Sequence, residues 1–158
     1  MQKSNTILVF AQNQRGVLER ICMMIRKKMY NLEQITAGDT QQMGVKRLTI
    51  TFSHKENDKL PQIVNQLKKI VEVLEVKVVD SNNSFERETA LIKLKRPKEL
   101  PELISLGQIF GSKIINLSDL DVILEVTGNP KKIDNFLSLL KSYQILELGR
   151  SGPIAMEK

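Results

Sequence analysis

The sequence predicts an α+β protein made of two small units that share one order of elements, β-α-β-β-α-β. The length of 158 residues allows one ordinary domain or two very small ones. Short apolar runs and amphipathic helical patterns alternate in the same order twice, with the polar stretch 81–84 between them. This order is that of the ferredoxin-like unit. We therefore expect domains at 1–80 and 85–158, joined by a linker at 81–84.

The first half of unit one contains three strands and a helix. Residues 6–11 form a short apolar run with β-branched members, which predicts a buried strand. Apolar residues then recur at helical spacing from Val17 to Ile25, and the basic run 26–28 suits a helix C-terminus. Residues 31–37 and 45–52 predict two strands joined by a loose hairpin.

The second half of unit one predicts a helix and a closing strand. Asp58 is the expected N-cap and Pro61 suits the first turn, where amides lack intrahelical partners. Apolar residues at helical spacing run from Leu60 to Val71, and 74–80 reads as a strand. Cys22, on the apolar stripe of the earlier helix, is expected to be a core residue.

Unit two repeats this pattern. Asn129 and Pro130 have the residue types preferred at an N-cap and at the first helical position. The predicted elements, in chain order, are a strand over 89–95, a helix over 100–110, strands over 113–117 and 122–127, a helix from 130, and a strand over 145–148. A domain of this size is marginally stable alone, so self-association is expected.

Composition restricts the chemistry that this chain can perform. The net charge of +6 permits an anionic partner, but it does not choose among nucleic acid, membrane surface and acidic protein. One His, one Cys and no Trp leave little for a zinc site, a histidine relay or a stacking platform. With no apolar run long enough to cross a membrane and no signal peptide, we expect a cytoplasmic protein without catalytic or metal residues.

The loop before the first helix is the candidate binding site. Gly16 would let a ligand approach the main chain, and amides at the helix start favour an anion such as a carboxylate. Asn31, at the start of the second strand, offers donors and an acceptor to the polar head of an amino acid. Spacing alone favours a structural role for both residues, Gly16 as a turn glycine and Asn31 as the start of a strand.

Taken together, these segments resemble a known family. Asn13-x-x-Gly16-Val17-Leu18 followed by Tyr30-Asn31-Leu32-Glu33 resembles the N-terminal ACT domain of the small regulatory subunit of acetohydroxyacid synthase, also called acetolactate synthase. Further matching blocks occur in unit two: Glu86 to Lys93, Ile109 to Ile115, Thr127-Gly128 and Arg150-Ser151-Gly152. The resemblance extends over nearly the whole chain.

The resemblance implies a non-catalytic subunit that activates a catalytic partner and confers feedback inhibition by valine. The effector would lie between the ACT domains of a homodimer, and thiamine diphosphate, magnesium and FAD would belong to the catalytic subunit. The effector-binding residues implied by position are Asn13, Gly16, Val17 and Leu18 from one protomer and Asn31 and Leu32 from the other.

Three positions depart from the family pattern. Arg15 stands where a small or polar residue is usual, and Met29 replaces the common glycine before the tyrosine. Gly111-Ser112 stands where the family more often has an arginine followed by a small residue. Because a bulky Met29 could alter the end of the first helix, a valine-insensitive activating subunit remains an alternative.

Two rival functions and one docking hypothesis complete the sequence-based expectations. An RNA-binding module would suit the charge and the element order, but it requires exposed aromatic residues on the two central strands. Arg15 in a loop before a helix allows an acylphosphatase-like enzyme, whose glycine pattern is missing. The basic residues Lys93, Lys95, Arg96 and Lys98 could contact an acidic catalytic partner.

Overall fold

The computed structural model describes residues 5–80 and 82–158, apart from the side chains of His54 and Asn57. The chain divides into two compact units, one reaching to Phe85 and including Ile154–Lys158, the other comprising Glu86–Pro153. Ser81 of the predicted linker lies outside the described residues, and Ser84 already begins a strand. The domain boundaries at 80 and 85 stay a prediction, whereas the grouping of 154–158 with the first unit was not predicted.

The first unit has a four-stranded antiparallel sheet with two α-helices on one face. The strand order is β2-β3-β1-β4, which confirms the ferredoxin-like arrangement. Its elements are β1 (Thr6–Gln12), α1 (Val17–Lys27), β2 (Leu32–Asp39), β3 (Val45–Phe52), a 3-10 helix (His54–Lys59), α2 (Leu60–Leu67) and β4 (Val73–Val78).

The buried face of the sheet and the apolar faces of the two helices pack together in one core. The side chains of Ile7 and Val9 from β1 pack with Ile21 and Ile25 from α1 and with Ile63 from α2. All five are at most 2% exposed, and burying each aliphatic side chain of this size contributes roughly 1.5–3 kcal/mol. This packing fixes the direction of α1 and hence the position of the loop before it.

The opposite face of the same sheet has its own small cluster. Leu8 packs with Val79 and Ala155, and Phe10 contacts this cluster. Ala155 belongs to β9 (Ile154–Glu157), a strand that the sequence pattern did not reveal. The face that an RNA-recognition module would present to bases is therefore partly covered, which counts against that reading.

The second unit repeats the architecture with the strand order β6-β7-β5-β8. Asn129 is the N-cap of its last helix, and the side chain accepts a hydrogen bond from the Lys132 amide at 2.8 Å, as predicted. The rings of Phe110 and Phe136 lie 5.0 Å apart in the core. The elements are β5 (Ser84–Lys95), α3 (Leu100–Ile109), β6 (Lys113–Leu117), β7 (Asp121–Gly128), α4 (Pro130–Leu139), a 3-10 turn (Leu140–Ser142) and β8 (Ile145–Arg150).

Three local predictions were wrong. The N-cap of α2 is Lys59, not Asp58, because the preceding residues form a 3-10 helix that continues directly into α2. The helix ends at Leu67, and Val71, predicted on its apolar stripe, is 90% exposed. Cys22 is only partly buried, because the buried stripe of α1 consists of Val17, Ile21 and Ile25.

Neither membrane spans nor metal clusters are evident in the part of the chain that the structure describes. No helix there is long and apolar enough to cross a membrane. No group of three or more His, Cys, Asp or Glu side chains in those same ranges could hold a metal ion.

Candidate functional site

The loop between β1 and α1 is bonded to two other parts of the first unit. The Asn13 amide donates a hydrogen bond to the carbonyl of Gly44, in the β2–β3 turn, at 2.7 Å. The Gln12 amide donates to the carbonyl of Glu72, just before β4, at 2.9 Å. The side chain of Asn13 is exposed, whereas the backbone at this position is held by hydrogen bonds to the β2–β3 turn and to the residue before β4.

Gly16 is the N-cap of α1 and has a left-handed backbone conformation, with φ at +82°. An L side chain is strained in this region, whereas glycine adopts it freely. A Cβ atom at this position would also lie only 3.3 Å from Nη1 of Arg20. The backbone conformation therefore favours glycine here.

The first turn of α1 presents main-chain donors toward the loop. The Val17 amide donates to the Gln14 carbonyl at 3.3 Å, whereas the next amides, of Leu18 and Glu19, have no acceptor within the helix. Free amides and the helix dipole together make this end favourable for an anion. Within the described part of the chain, no side chain forms a capping hydrogen bond at this end of α1.

The two apolar residues of this loop differ in exposure. Val17 is 5% exposed and its side chain belongs to the core of the unit. Leu18 is 49% exposed, so its side chain is available to a ligand or to a second chain. Sequence reasoning did not distinguish them, since both positions are apolar in the pattern.

Asn31 and Leu32 lie at the other end of the sheet. Leu32 pairs with Phe52, whereas Gln12, next to Asn13, pairs with Val45. These positions are seven residue steps apart on β3, which corresponds to about 23 Å. One chain therefore brings Asn13, Gly16, Val17 and Leu18 together but does not bring Asn31 and Leu32 to them.

Asn31 nevertheless has an exposed side chain, and it precedes an edge strand. Its carbonyl accepts a hydrogen bond from the Ser53 amide at 3.0 Å, which fixes the start of β2. Leu32 is partly buried against the core. Since β2 is the first strand in the order, one of its sides has no neighbouring strand among the described residues of the unit.

One charged pair beside the loop was missed by sequence reasoning. Nη2 of Arg20 lies 2.6 Å from Oε1 of Glu72, and their side chains are 46% and 18% exposed. The residues are 52 positions apart, so no local pattern could have paired them. Only the placement of Arg20 one helical turn after Gly16 was visible in the sequence.

The basic residues singled out in the second unit have acidic neighbours. Lys93 forms an ion pair with Asp121 at 3.2 Å, and Arg96 lies 3.4 Å from Asp119. Hydrogen bonds from Ser118 and Lys93 lower the pKa of the Asp121 carboxyl. The positive charge of this cluster is therefore partly neutralised within its own unit.

Three of the four matching blocks of the second unit meet in one corner. Arg150 donates through Nε and Nη2 to the buried carboxylate of Glu88, and through Nη1 to Asp134 at 2.7 Å. The hydrogen bond with Glu88 is the main reason that the pKa of Arg150 is raised. Nearby, the hydroxyls of Thr89 and Thr127 lie 3.0 Å apart. These contacts join β5, β7 and β8 and give the blocks a structural role.

Comparison with known proteins gives matches over both units. Residues 7–75 match the family described as AHAS small subunit-like ACT domain, and residues 87–158 match the small subunit of acetolactate synthase. The chain is 36% identical over 154 residues to a probable acetolactate synthase small subunit of Archaeoglobus fulgidus, covering 96% of this chain and 95% of that one. It is 34% identical over 158 residues to the acetolactate synthase small subunit of Aquifex aeolicus, covering 99% and 82%.

A solved structure extends this similarity to the whole fold. The crystal structure of the acetolactate synthase small subunit from Thermotoga maritima superposes with a TM-score of 0.88 at 32% identity. The match covers 97% of this chain and 96% of that one.

Proposed function

This chain belongs to the acetolactate synthase small-subunit family, and on that premise we propose that it activates the catalytic subunit and confers feedback inhibition by valine. The resemblance found in the sequence is thereby confirmed, and family membership supports a regulatory role in branched-chain amino-acid biosynthesis. In this proposal, thiamine diphosphate, magnesium and FAD are bound by the catalytic partner, and the ligand of this chain is the effector.

The observation that carries the proposal is the anion-favouring start of α1. An amino acid presents a carboxylate, and the amides of Leu18 and Glu19 in the first turn of α1 can donate to it. The exposed half of Leu18 offers an apolar contact for a branched side chain. The core position of Val17 gives that residue a supporting role instead.

The distance between Asn13 and Asn31 supports a site made by two chains. If the free edge of β2 pairs antiparallel with β2 of a second copy, the start of one strand comes beside the end of the other. Asn31 of the second copy then lies at the end of the sheet where Asn13 is found. A homodimer through the ACT domain would thus complete the site, and effector binding would depend on the dimer arrangement.

The first test is calorimetric titration of the chain with L-valine, L-leucine and L-isoleucine. We expect saturable valine binding that is lost in Asn13→Ala and in Asn31→Ala. Asn65→Ala, an exposed asparagine on α2, is the matched control and should bind as the wild type does. Unchanged binding in either of the first two variants would contradict the assignment of that residue.

Mixing the two variants tests whether the site spans two chains. A dimer of one Asn13→Ala chain and one Asn31→Ala chain has one intact site and one doubly altered site. In a random equimolar mixture about half of the dimers contain one chain of each variant. About one quarter of all sites should therefore be intact and bind valine. A site within a single chain would give no restoration.

The regulatory role is tested by adding the chain to its catalytic partner. We expect acetolactate formation to increase when the chain is added and to fall again when valine is present. If none of the three amino acids binds but the activity still rises, the chain is a valine-insensitive activating subunit. If the activity does not rise, the proposed activation is wrong.

A further inference from the structure

We propose that Arg20 is the positioning residue of the loop 13–16 and that Glu72 holds its guanidinium in place. The part of this inference that concerns effector affinity rests on the proposed function, whereas the part that concerns loop order does not. Arg20 itself is proposed to act on the loop, without contact to the effector.

The guanidinium of Arg20 lies between the loop and Glu72. Nη2 donates to the Glu72 carboxylate at 2.6 Å, and Nη1 lies 3.3 Å from the position that a Cβ atom on Gly16 would occupy. The amide of Arg20 donates to the Gly16 carbonyl at 2.9 Å. Arg20 is thus bonded to the N-cap through its main chain, and its guanidinium lies beside the position that a side chain on Gly16 would occupy.

Glu72 bonds to chain segments on both sides of the loop. Its carbonyl accepts the hydrogen bond from the Gln12 amide, before the loop, and its carboxylate accepts the bond from Arg20, after the loop. The side chain of Glu72 is 18% exposed, so solvent screens this pair less than it screens a fully exposed one. Glu72 therefore links the two ends of the loop.

Arginine is suited to this position because its guanidinium is planar and carries several donors. One edge can donate to Glu72 while the rest of the group covers the backbone at Gly16. The ammonium of a lysine would be a point charge that can reach Glu72 but does not cover the glycine. Lysine should therefore keep the ion pair and lose part of the ordering of the loop.

An ordered loop would bind a ligand more tightly, because less conformational entropy is lost on binding. A pair of this exposure contributes at most about 1 kcal/mol, which corresponds to roughly a fivefold change in affinity. Breaking the pair should therefore weaken valine binding several-fold without abolishing it. By contrast, substitution of a contact residue such as Asn13 should abolish binding.

The test compares Arg20→Gln, Arg20→Lys and Glu72→Gln with the wild-type chain. Amide hydrogen exchange by NMR reports the order of the loop, above all at Gln12 and Asn13, whose amides are bonded. Valine titration of the same samples reports affinity. Arg96→Gln, which removes an arginine of comparable exposure beside Asp119, is the matched control in the second unit.

We expect faster exchange at Gln12 and Asn13 in Arg20→Gln and Glu72→Gln, an intermediate rate in Arg20→Lys, and no change in Arg96→Gln. Exchange at the buried amides of β3 should stay the same, which separates loop disorder from general unfolding. If Arg20→Gln unfolds throughout, amide exchange at Gln12 and Asn13 in Arg20→Lys, which keeps the charge, decides whether Arg20 orders the loop. Unchanged exchange at both amides in Arg20→Gln and Glu72→Gln would overturn the inference.

The two proposals can fail separately in this experiment. If the wild-type chain binds none of the three amino acids, the proposed effector function fails, and the exchange rates still decide the role of Arg20. If the wild type binds valine and the variants bind equally with unchanged exchange, the positioning role fails and the effector site stands.

Discussion

Replacing Met29, which follows the C-terminal end of α1, with glycine should stabilise the protein. Met29 has φ at +59° and is the one non-glycine residue with positive φ among the described residues. Its amide donates a hydrogen bond to the Arg26 carbonyl at 2.9 Å, and the Tyr30 amide donates to the Ile25 carbonyl at 3.2 Å. These two bonds form the Schellman motif of a helix C-terminus. Glycine is the residue usually found at this position of the motif, because it adopts the conformation without strain.

The expected gain follows from two opposing terms. The left-handed conformation costs an L-residue about 1–2 kcal/mol, and Met29→Gly removes that cost. Glycine also makes the unfolded chain more flexible, which lowers the free energy of unfolding by about 0.5–1 kcal/mol. The side chain of Met29 is 86% exposed, so little packing is lost. At the middle of these two ranges, about 1.5 and about 0.75 kcal/mol, the net stabilisation of the first unit should be about 0.75 kcal/mol, which raises its melting temperature by roughly 3–6 °C.

Exchange of the buried α1 amides of Ile21 and Ile25 measures the free energy of unfolding of this unit, and thermal unfolding gives the melting temperature. Lys28→Gly is the control, because Lys28 precedes Met29 and has an ordinary φ of −91°. That variant should be destabilised by about 0.5–1 kcal/mol. If Met29→Gly is no more stable than the wild type, or if both glycine variants gain equally, the reasoning is refuted.

Three further outcomes concern the second unit. Glu88→Ala removes the buried partner of the Arg150 guanidinium, which is 24% exposed and keeps Asp134, and should destabilise the unit by about 1.5–3 kcal/mol in chemical denaturation. Asn129→Ala removes the N-cap of α4 and should cost about 1 kcal/mol, whereas Asn129→Asp should keep most of the stability. Because the pKa of Asp121 is lowered, its stabilising contribution is present above the usual value of 3.8 and is lost as the pH falls through the folded value. Ser118→Ala should raise that pKa toward 3.8 in an NMR titration, and an unchanged pKa would exclude Ser118 as its cause.

The loop between β1 and α1 was only partly predictable. Gly16 and the helix start stood out in the sequence, because a glycine before an apolar periodic segment is a local signal. The same pattern could not separate the buried Val17 from the exposed Leu18, nor could it show that Asn31 lies at the far end of the sheet. The contact between Arg20 and Glu72 left no trace in the spacing.

The sequence by itself determined the β-α-β-β-α-β order of both units, their ferredoxin-like class and the N-cap at Asn129. These features depend on hydrophobic periodicity and on capping chemistry within a few residues, which operate locally along the chain. Only the tertiary structure decided that 154–158 joins the first unit, that a 3-10 helix replaces the expected start of α2, and that Glu72 meets Arg20. Such features depend on which distant segments pack together, and strand pairing and burial supply that information only after the chain has folded.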